Sequence, residues 1–472
     1  MTAEKKYVSF KNRLIIIGFG SIGAGALPLI LRHIDVSPQQ ITIITADERG
    51  RDEANEYGVE FIINPLKPEN YRSILEPRLS QGDFLVNLSV DVSCADLMVL
   101  CQERGALYLD TVVEPWPGFY TDPKLTPSQR TNYCMRETVR ALRGKYAKGM
   151  TSVSCHGANP GLVTHFVKQA LLDIAEDTGV KTETPASREA WAMLMERLGI
   201  KVIHIAERDT QVAHQPKDPG EFVNTWSVEG FFSEGCQPAE LGWGTHERHF
   251  PHDGVHHDAG TRAAIFLNRP GRLTRVRSWT PLEGPYQGFL ITHDESISIP
   301  EYFTVYENGK VRHRVTCHYA YHPCDDAVLS LHELNGKNGK MQERRRVIVD
   351  EVVKGMDELG VLLMGNPKGV YWYGSRLTID QARQLIPYNN ATSLQVTVAV
   401  LSGMIWAIEN PRCGIVEPED MDFQRILEIA APYLGDVVGV WGDWSPLQDR
   451  NHLFDEDLDM EDPWQFKNIR VA

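Results

Sequence analysis

A chain of 472 residues, 24% of them charged, with no tract of about 18 apolar residues, has room for two or three domains and no evident membrane-spanning segment. Its net charge of −15 disfavours nucleic acid and anionic membrane surfaces and would concentrate a cationic small molecule. Residues 1–12 lack the apolar run of a secretory signal and the eight cysteines form no CxxC pair, so a cytosolic address with free thiols is expected.

Residues 13–17 form a short β-branched apolar run. Gly18-Phe19-Gly20-Ser21-Ile22-Gly23 follows at once, and then a helical stretch over 24–32. Strand, glycine turn and helix in that order frame a dinucleotide site. The first glycine permits the bend, the second admits a pyrophosphate against the backbone, and the third lets helix pack on strand. The helix N-terminus then stabilises the phosphate charge. A second strand is predicted over 41–45 and leads to Asp47, at the spacing where an acid bonds the adenosine ribose diol. Asp47 favours NAD over NADP, while Arg49 and Arg51 pull the other way. The run 84–89 reads as a buried parallel strand that brings Asn87, Ser89 and Asp91 to the cofactor edge. Residues 108–114 repeat the pattern with Asp110, Thr111 and Glu114. For any one of these polar residues, surface capping is an equal reading.

Beyond a polar stretch, 120–148, lies Gly157-Ala158-Asn159-Pro160-Gly161, a turn that can hold an exposed polar side chain at a strand end. Asn159 is expected beside the nicotinamide, and an amphipathic helix starts near Leu162. Residues 203–320 show alternating and β-branched runs, among them 263–267 and 298–306, which predict a mostly antiparallel sheet. Within them, 221–234 interleaves acids with Asn224, Trp226, Phe231 and Phe232, a composition suited to a cation held between carboxylates and an indole face. His293 ends an apolar run, with Glu295 two residues on, placed to orient the imidazole or to grip an amine. The stretch 246–258 is rich in histidine but lacks HExxH order and is broken by proline and glycine, so it reads as a polar loop and not as a metal site. Residues 341–359 carry a helix-like pattern, 392–409 has the content of a buried helix, and 449–462 is acidic.

The glycine turn, the Gly-Ala-Asn-Pro-Gly turn, and the segments 224–234 and 291–296 together resemble the saccharopine dehydrogenase-like reductases, and within them the bacterial homospermidine synthases, over nearly the whole chain. The resemblance implies an α/β protein. A Rossmann domain with a parallel sheet would occupy 1–155, and an α+β substrate domain with a mostly antiparallel sheet 156–385. A C-terminal helical segment, 386–472, would pack back on the first. It implies a transferase that condenses two putrescines, or putrescine with spermidine, into homospermidine with loss of ammonia. NAD would accept and return a hydride, no metal would take part, and the enzyme would be a homodimer. It places Trp226 as the cation-binding face and supports a functional His293. From the residues themselves, Glu207, Glu234 and Glu114 are the acids expected around the substrate, though each singly could be a solvated surface charge, with Glu295 beside His293 and Asn159 near the nicotinamide. Two other readings stay open. A single-step reductase of a saccharopine or carboxynorspermidine type would want carboxylate-binding arginines, and near these segments stands only Arg208. A non-catalytic NAD sensor would not need the acids and aromatics.

Overall fold

Leu14–Ile17, four buried aliphatic residues, forms an interior strand of a seven-stranded parallel sheet in the computed structural model, which describes residues 5–471. Across the sheet the order is Ile415–Val416, Ser152–Val153, Leu107–Asp110, Phe84–Asn87, Leu14–Ile17, Ile41–Thr45 and Glu60–Ile63. All neighbours run parallel. Strands buried on both faces need no polar alternation, which is why they read as continuous apolar runs. Each such side chain contributes about 1.5–3 kcal/mol. The chain leaves Leu14–Ile17 toward one edge and later returns to build the other, so a crevice opens beyond the strand ends between Leu14–Ile17 and Phe84–Asn87.

The second sheet has ten strands and is mixed. It is antiparallel except where Val202–Asp209 runs parallel to Thr316–His322. Three elements differ from the sequence reading. The polar stretch 120–148 contains a helix, Asn132–Lys145, which packs a narrow apolar face of Met135, Val139 and Leu142 and is also tied to its surroundings by ions. Buried Arg136 donates to Glu417 at 2.6 and 2.9 Å and to Glu301 at 2.5 Å, and Glu240 accepts the Asn132 and Tyr133 backbone N–H groups at the helix start. The expected helix at 341–359 is instead three strands, Arg344–Val347, Val352–Lys354 and the start of Met356–Met364. Its arginines find acids from distant parts of the chain: Arg346 pairs with Glu221 on the neighbouring strand, Arg344 with Asp218 just before that strand and Arg345 with Glu229 on the helix Val228–Cys236. Conversely, much of the run 298–306 belongs to a helix, Glu295–Tyr302, whose residues are buried on every side up to Glu301. Such a segment shows no amphipathic period to betray it.

The helix Ala391–Glu409 is long and apolar enough to cross a membrane, contrary to the absence of such a tract expected from the sequence. Of its most apolar window 89% is buried inside the protein, and it packs on Ser21–His33. The chain that follows divides. Ile415–Val416 becomes the edge strand of the parallel sheet, whereas Asp436–Gly442 pairs with Val370–Thr378 in the larger sheet. The Val471 backbone N–H donates to the Arg275 carbonyl. The C-terminal segment thus serves both sheets and not the first alone.

Candidate active site

One cavity of about 510 Å³ joins the end of the parallel sheet to the face of the mixed one. At the first end, Gly18 has φ +79, and a Cβ there would stand 2.7 Å from the Ser89 Cα, so only glycine allows that approach. A Cβ on Gly20 would project into open space, and no side chain caps the helix that begins at Ser21. Gly23 packs against the Phe19 ring and the Gly18 carbonyl. Gly18, Gly20, Ser21 and Ile22 line the cavity, leaving room and an uncapped helix terminus for a pyrophosphate. The residues present therefore fit a dinucleotide.

Asp47 lines the same end. Its carboxylate accepts from the Arg49 side chain at 3.0 and 3.1 Å and from the Arg49 backbone N–H, which holds it below the usual carboxylate range. Arg49 is thus turned onto the acid. Ser89, Asp91 and Thr111 also line the cavity, but Asn87 and Asp110 lie beneath it. Asn87 Oδ1 accepts from the Ser89 hydroxyl at 2.6 Å, and Asp110 accepts from the Cys155 backbone N–H at 2.6 Å and from Tyr108 Oη at 2.8 Å. These two hold the edge in shape and do not themselves line the cavity.

At the other end, the Gly157 N–H donates to the Pro160 carbonyl at 2.7 Å and closes the Gly-Ala-Asn-Pro-Gly turn. Gly161 has φ +127, and a Cβ there would collide with the Gly157 carbonyl. Asn159 Nδ2 from this turn donates to Glu207 Oε2 at 3.0 Å, and Tyr319 Oη donates to the same oxygen at 2.5 Å. Burial pushes the Glu207 carboxyl up to about 8 despite those two donors. Glu114, also buried, is pushed up to about 8 by burial and by the Asp91 and Glu234 carboxylates.

Trp226 lies between the strand Glu221–Asn224 and the helix Val228–Cys236, whose start is capped by Ser227 accepting from the Gly230 N–H. Its Nε1 donates to Tyr321 Oη at 3.0 Å. His293 stands between two acids, with Nε2 3.0 Å from Glu234 and Nδ1 3.2 Å from Glu295. Burial opposes a charge on the ring, but the Glu295 and Glu234 carboxylates outweigh it and push His293 up to about 10. The imidazole expected to shuttle protons is therefore a resting imidazolium that donates on both sides. Glu295 is 1% exposed and lies behind the ring, away from the cavity wall, so of its two expected roles the geometry fits orienting His293 and not gripping an amine.

Asn159, Glu207, Trp226, Glu234, His293 and Glu114 all reach the one cavity. The sequence reading did not find Tyr319 and Tyr321, nor Thr392 and Val396, which bring the C-terminal helix to the wall. The two tyrosines stand two apart on the strand Thr316–His322 and so share a face; that alternation was their only signal. In the histidine-rich stretch the side chains are engaged structurally. His246 contacts the Trp464 carbonyl, His249 pairs with Asp459, and His257 stacks on Tyr133 at 3.8 Å. Among the described residues no cluster of three His, Cys, Asp or Glu side chains is arranged to hold a metal ion.

Comparison with known proteins agrees with this geometry. The family described as saccharopine dehydrogenase NADP binding domain matches residues 14–153, and that described as saccharopine dehydrogenase C-terminal domain matches 157–443. A homospermidine synthase from Blastochloris viridis is 55% identical over 100% of both chains. Another from Mesorhizobium japonicum is 52% identical over 98% of this chain and 97% of its own. The crystal structure of a homospermidine synthase from Legionella pneumophila in complex with NAD is 50% identical, covers 98% of each chain and superposes with a TM-score of 0.92. A saccharopine dehydrogenase from Saccharomyces cerevisiae shares the fold at 8% identity, with a TM-score of 0.52 over 91% of this chain and 99% of that one. The chain belongs to the bacterial homospermidine synthase family, within the saccharopine dehydrogenase-like group.

Proposed function

We propose that this chain is a cytosolic, homodimeric homospermidine synthase that joins two putrescines, or putrescine and spermidine, with release of ammonia and no net oxidation. The observation that carries this reading is the convergence of three acids, Glu114, Glu207 and Glu234, and an indole at one end of a cavity whose other end fits a dinucleotide. Gly18, Gly20, Ser21 and Ile22 would hold the pyrophosphate of NAD, and Asp47 its adenosine ribose. When bound, NAD supplies reversible hydride acceptance, first taking the hydride and finally returning it.

The residues of the chain manage charge around that exchange. A diamine arrives with an ammonium at each end, and hydride loss beside a nitrogen requires that nitrogen to be neutral. A carboxyl that titrates at about 8 is matched to this proton transfer. Once ionised, Glu207 takes the proton from the near ammonium, leaving amine and carboxylic acid, and gives it back later. Glu114 and Glu234 hold the far ammonium. His293, already charged, holds the Glu234 side chain in place. Trp226 offers its face to the cationic imine, which needs stabilisation without a carboxylate that would trap it. The second diamine then displaces ammonia from the imine carbon, and hydride return completes the secondary amine. Thr392 and Val396 from the buried helix help to close the wall against water that would hydrolyse the imine.

A reductase of amino or keto acids would need a free guanidinium in the cavity. Arg208 instead pairs with Glu283 and Asp325, and Arg49 is turned onto Asp47. The test is incubation of the protein with putrescine and NAD. Homospermidine and ammonia should form in equal amounts with no lasting absorbance from NADH. Steady accumulation of NADH would indicate a plain amine dehydrogenase and overturn the reading.

A further inference from the structure

Between Glu207 and Trp226 stand two tyrosines that no step above uses directly: Tyr319 lines the cavity and Tyr321 is buried behind it. Tyr319 and Tyr321 stack with ring centroids 5.0 Å apart and planes 13° from parallel, and both are buried. Register sets this arrangement. Tyr321 lies opposite Glu207 in the parallel pair of strands, and Tyr319 opposite Ile205. Tyr319 donates to Glu207, and its ring also lies 4.4 Å from that of His293. Tyr321 Oη accepts the indole N–H of Trp226, and Phe231 packs against both Trp226 and Tyr321, each at 5.5 Å.

We propose that Tyr321 is the positioning residue for Trp226: its phenol oxygen takes the indole N–H and so fixes the turn of the ring that presents the indole face to the substrate cation. This inference rests on the reading of Trp226 as the cation face. An indole half-buried beside a cavity has freedom about its side-chain torsions, and a cation–π contact is lost when the ring tips its edge toward the ligand. One hydrogen bond at 3.0 Å removes that freedom, because the N–H must point away from the cavity toward the strand. Burial keeps the Tyr321 hydroxyl protonated, so the oxygen accepts without bringing a competing negative charge. The stacked Tyr319 ties the same wall to Glu207, which keeps the cation face and the proton acceptor at a set spacing.

The test is a double-mutant cycle in the full-length enzyme, using Tyr321→Phe and Trp226→Phe. Homospermidine formation from putrescine is the readout, with cofactor binding and melting temperature measured for every variant. Phenylalanine at 226 has no N–H to orient. Tyr321→Phe should lower kcat/KM about tenfold in the wild-type background and leave it nearly unchanged in Trp226→Phe. An equal loss in both backgrounds would mean that Tyr321 acts independently of the indole and would overturn the inference. No loss on Tyr321→Phe in the wild type would overturn it as well. If Trp226→Phe itself has no effect on turnover, the reading of Trp226 as the cation face fails, a different outcome from either of those.

Discussion

The two ends of the cavity are built in opposite ways. The nucleotide end is set mainly by one stretch of chain, from the glycine turn 18–23 to Asp47, with Ser89, Asp91 and Thr111 added from the next strand ends. The amine end is gathered from Glu114, Asn159, Glu207, Trp226, Glu234, His293 and Tyr319, which stand on separate elements of both sheets. At the first end backbone conformation does the binding, so one glycine turn defines it. At the second, function depends on side-chain charges that burial sets against one another, and no short motif encodes that. Substitutions at the amine end should therefore act on turnover and leave the cofactor in place, whereas those at the nucleotide end should do the reverse.

The sharpest break between the ends is expected at Glu207. Glu207→Gln keeps an acceptor for Tyr319 but removes the titrating group, and should lower diamine turnover by roughly 10²–10⁴-fold. NAD binding, followed by quenching of protein fluorescence, should be unchanged; its loss would place Glu207 with the cofactor. Trp226→Ala is expected to lower kcat/KM about thirtyfold, again with NAD bound normally. At the opposite end, Asp47→Ala should weaken NAD and narrow the preference over NADP by about tenfold, with turnover at saturating cofactor nearly intact. If NADP affinity does not rise relative to NAD, Asp47 does not read the ribose.

The smallest effect is a pH dependence of stability, to which the amine end contributes through Glu207, Glu114 and His293. Glu207 and Glu114 are raised from 4.5 to about 8, so the folded state holds protons there that the unfolded chain has released. Their contribution declines as pH rises from about 4.5 through 8. His293 is raised from 6.5 to about 10, so its contribution is full below 6.5 and is lost as pH rises through about 10. Both run the same way. The ligand-free protein should melt at progressively lower temperature from pH 6 to pH 9, and Glu207→Gln should flatten that slope. Putrescine should oppose it, because the dication favours ionised acids. A melting temperature that rises over this range would contradict the protonation states assigned at the amine end.

The same contrast governs what could be read in advance. Parallel strands announce themselves as short apolar runs, and the glycine turn carries its own conformational reason, so the first sheet and its cofactor residues were legible. Of those residues, Asn87 and Asp110 proved to be supports, because a polar residue at a strand end looks alike whether it faces a ligand or a neighbouring backbone N–H. The acids of the amine end could be named from composition. Their pairing could not, since the His293 charge depends on Glu234 reaching it from 59 residues away. Tyr321 was invisible for a related reason, as its partner Trp226 is 95 residues distant. The strands at 344–354 were hidden because their arginines find acids on a neighbouring strand, the turn before it and a helix, a long-range pairing that charge content along the chain does not display.

The path of the last third of the chain constrains how such a protein could arise and be altered. Residues 391–416 cover and complete the first sheet, and 436–471 then return to the second. A cut anywhere before 391 would strip both sheets of parts they need. The two halves are laced together like a knot tied after both ropes are laid. A foreign nucleotide-binding half would close against this chain only if its sheet accepted Ile415–Val416 as an edge strand and its first helix packed on Ala391–Glu409.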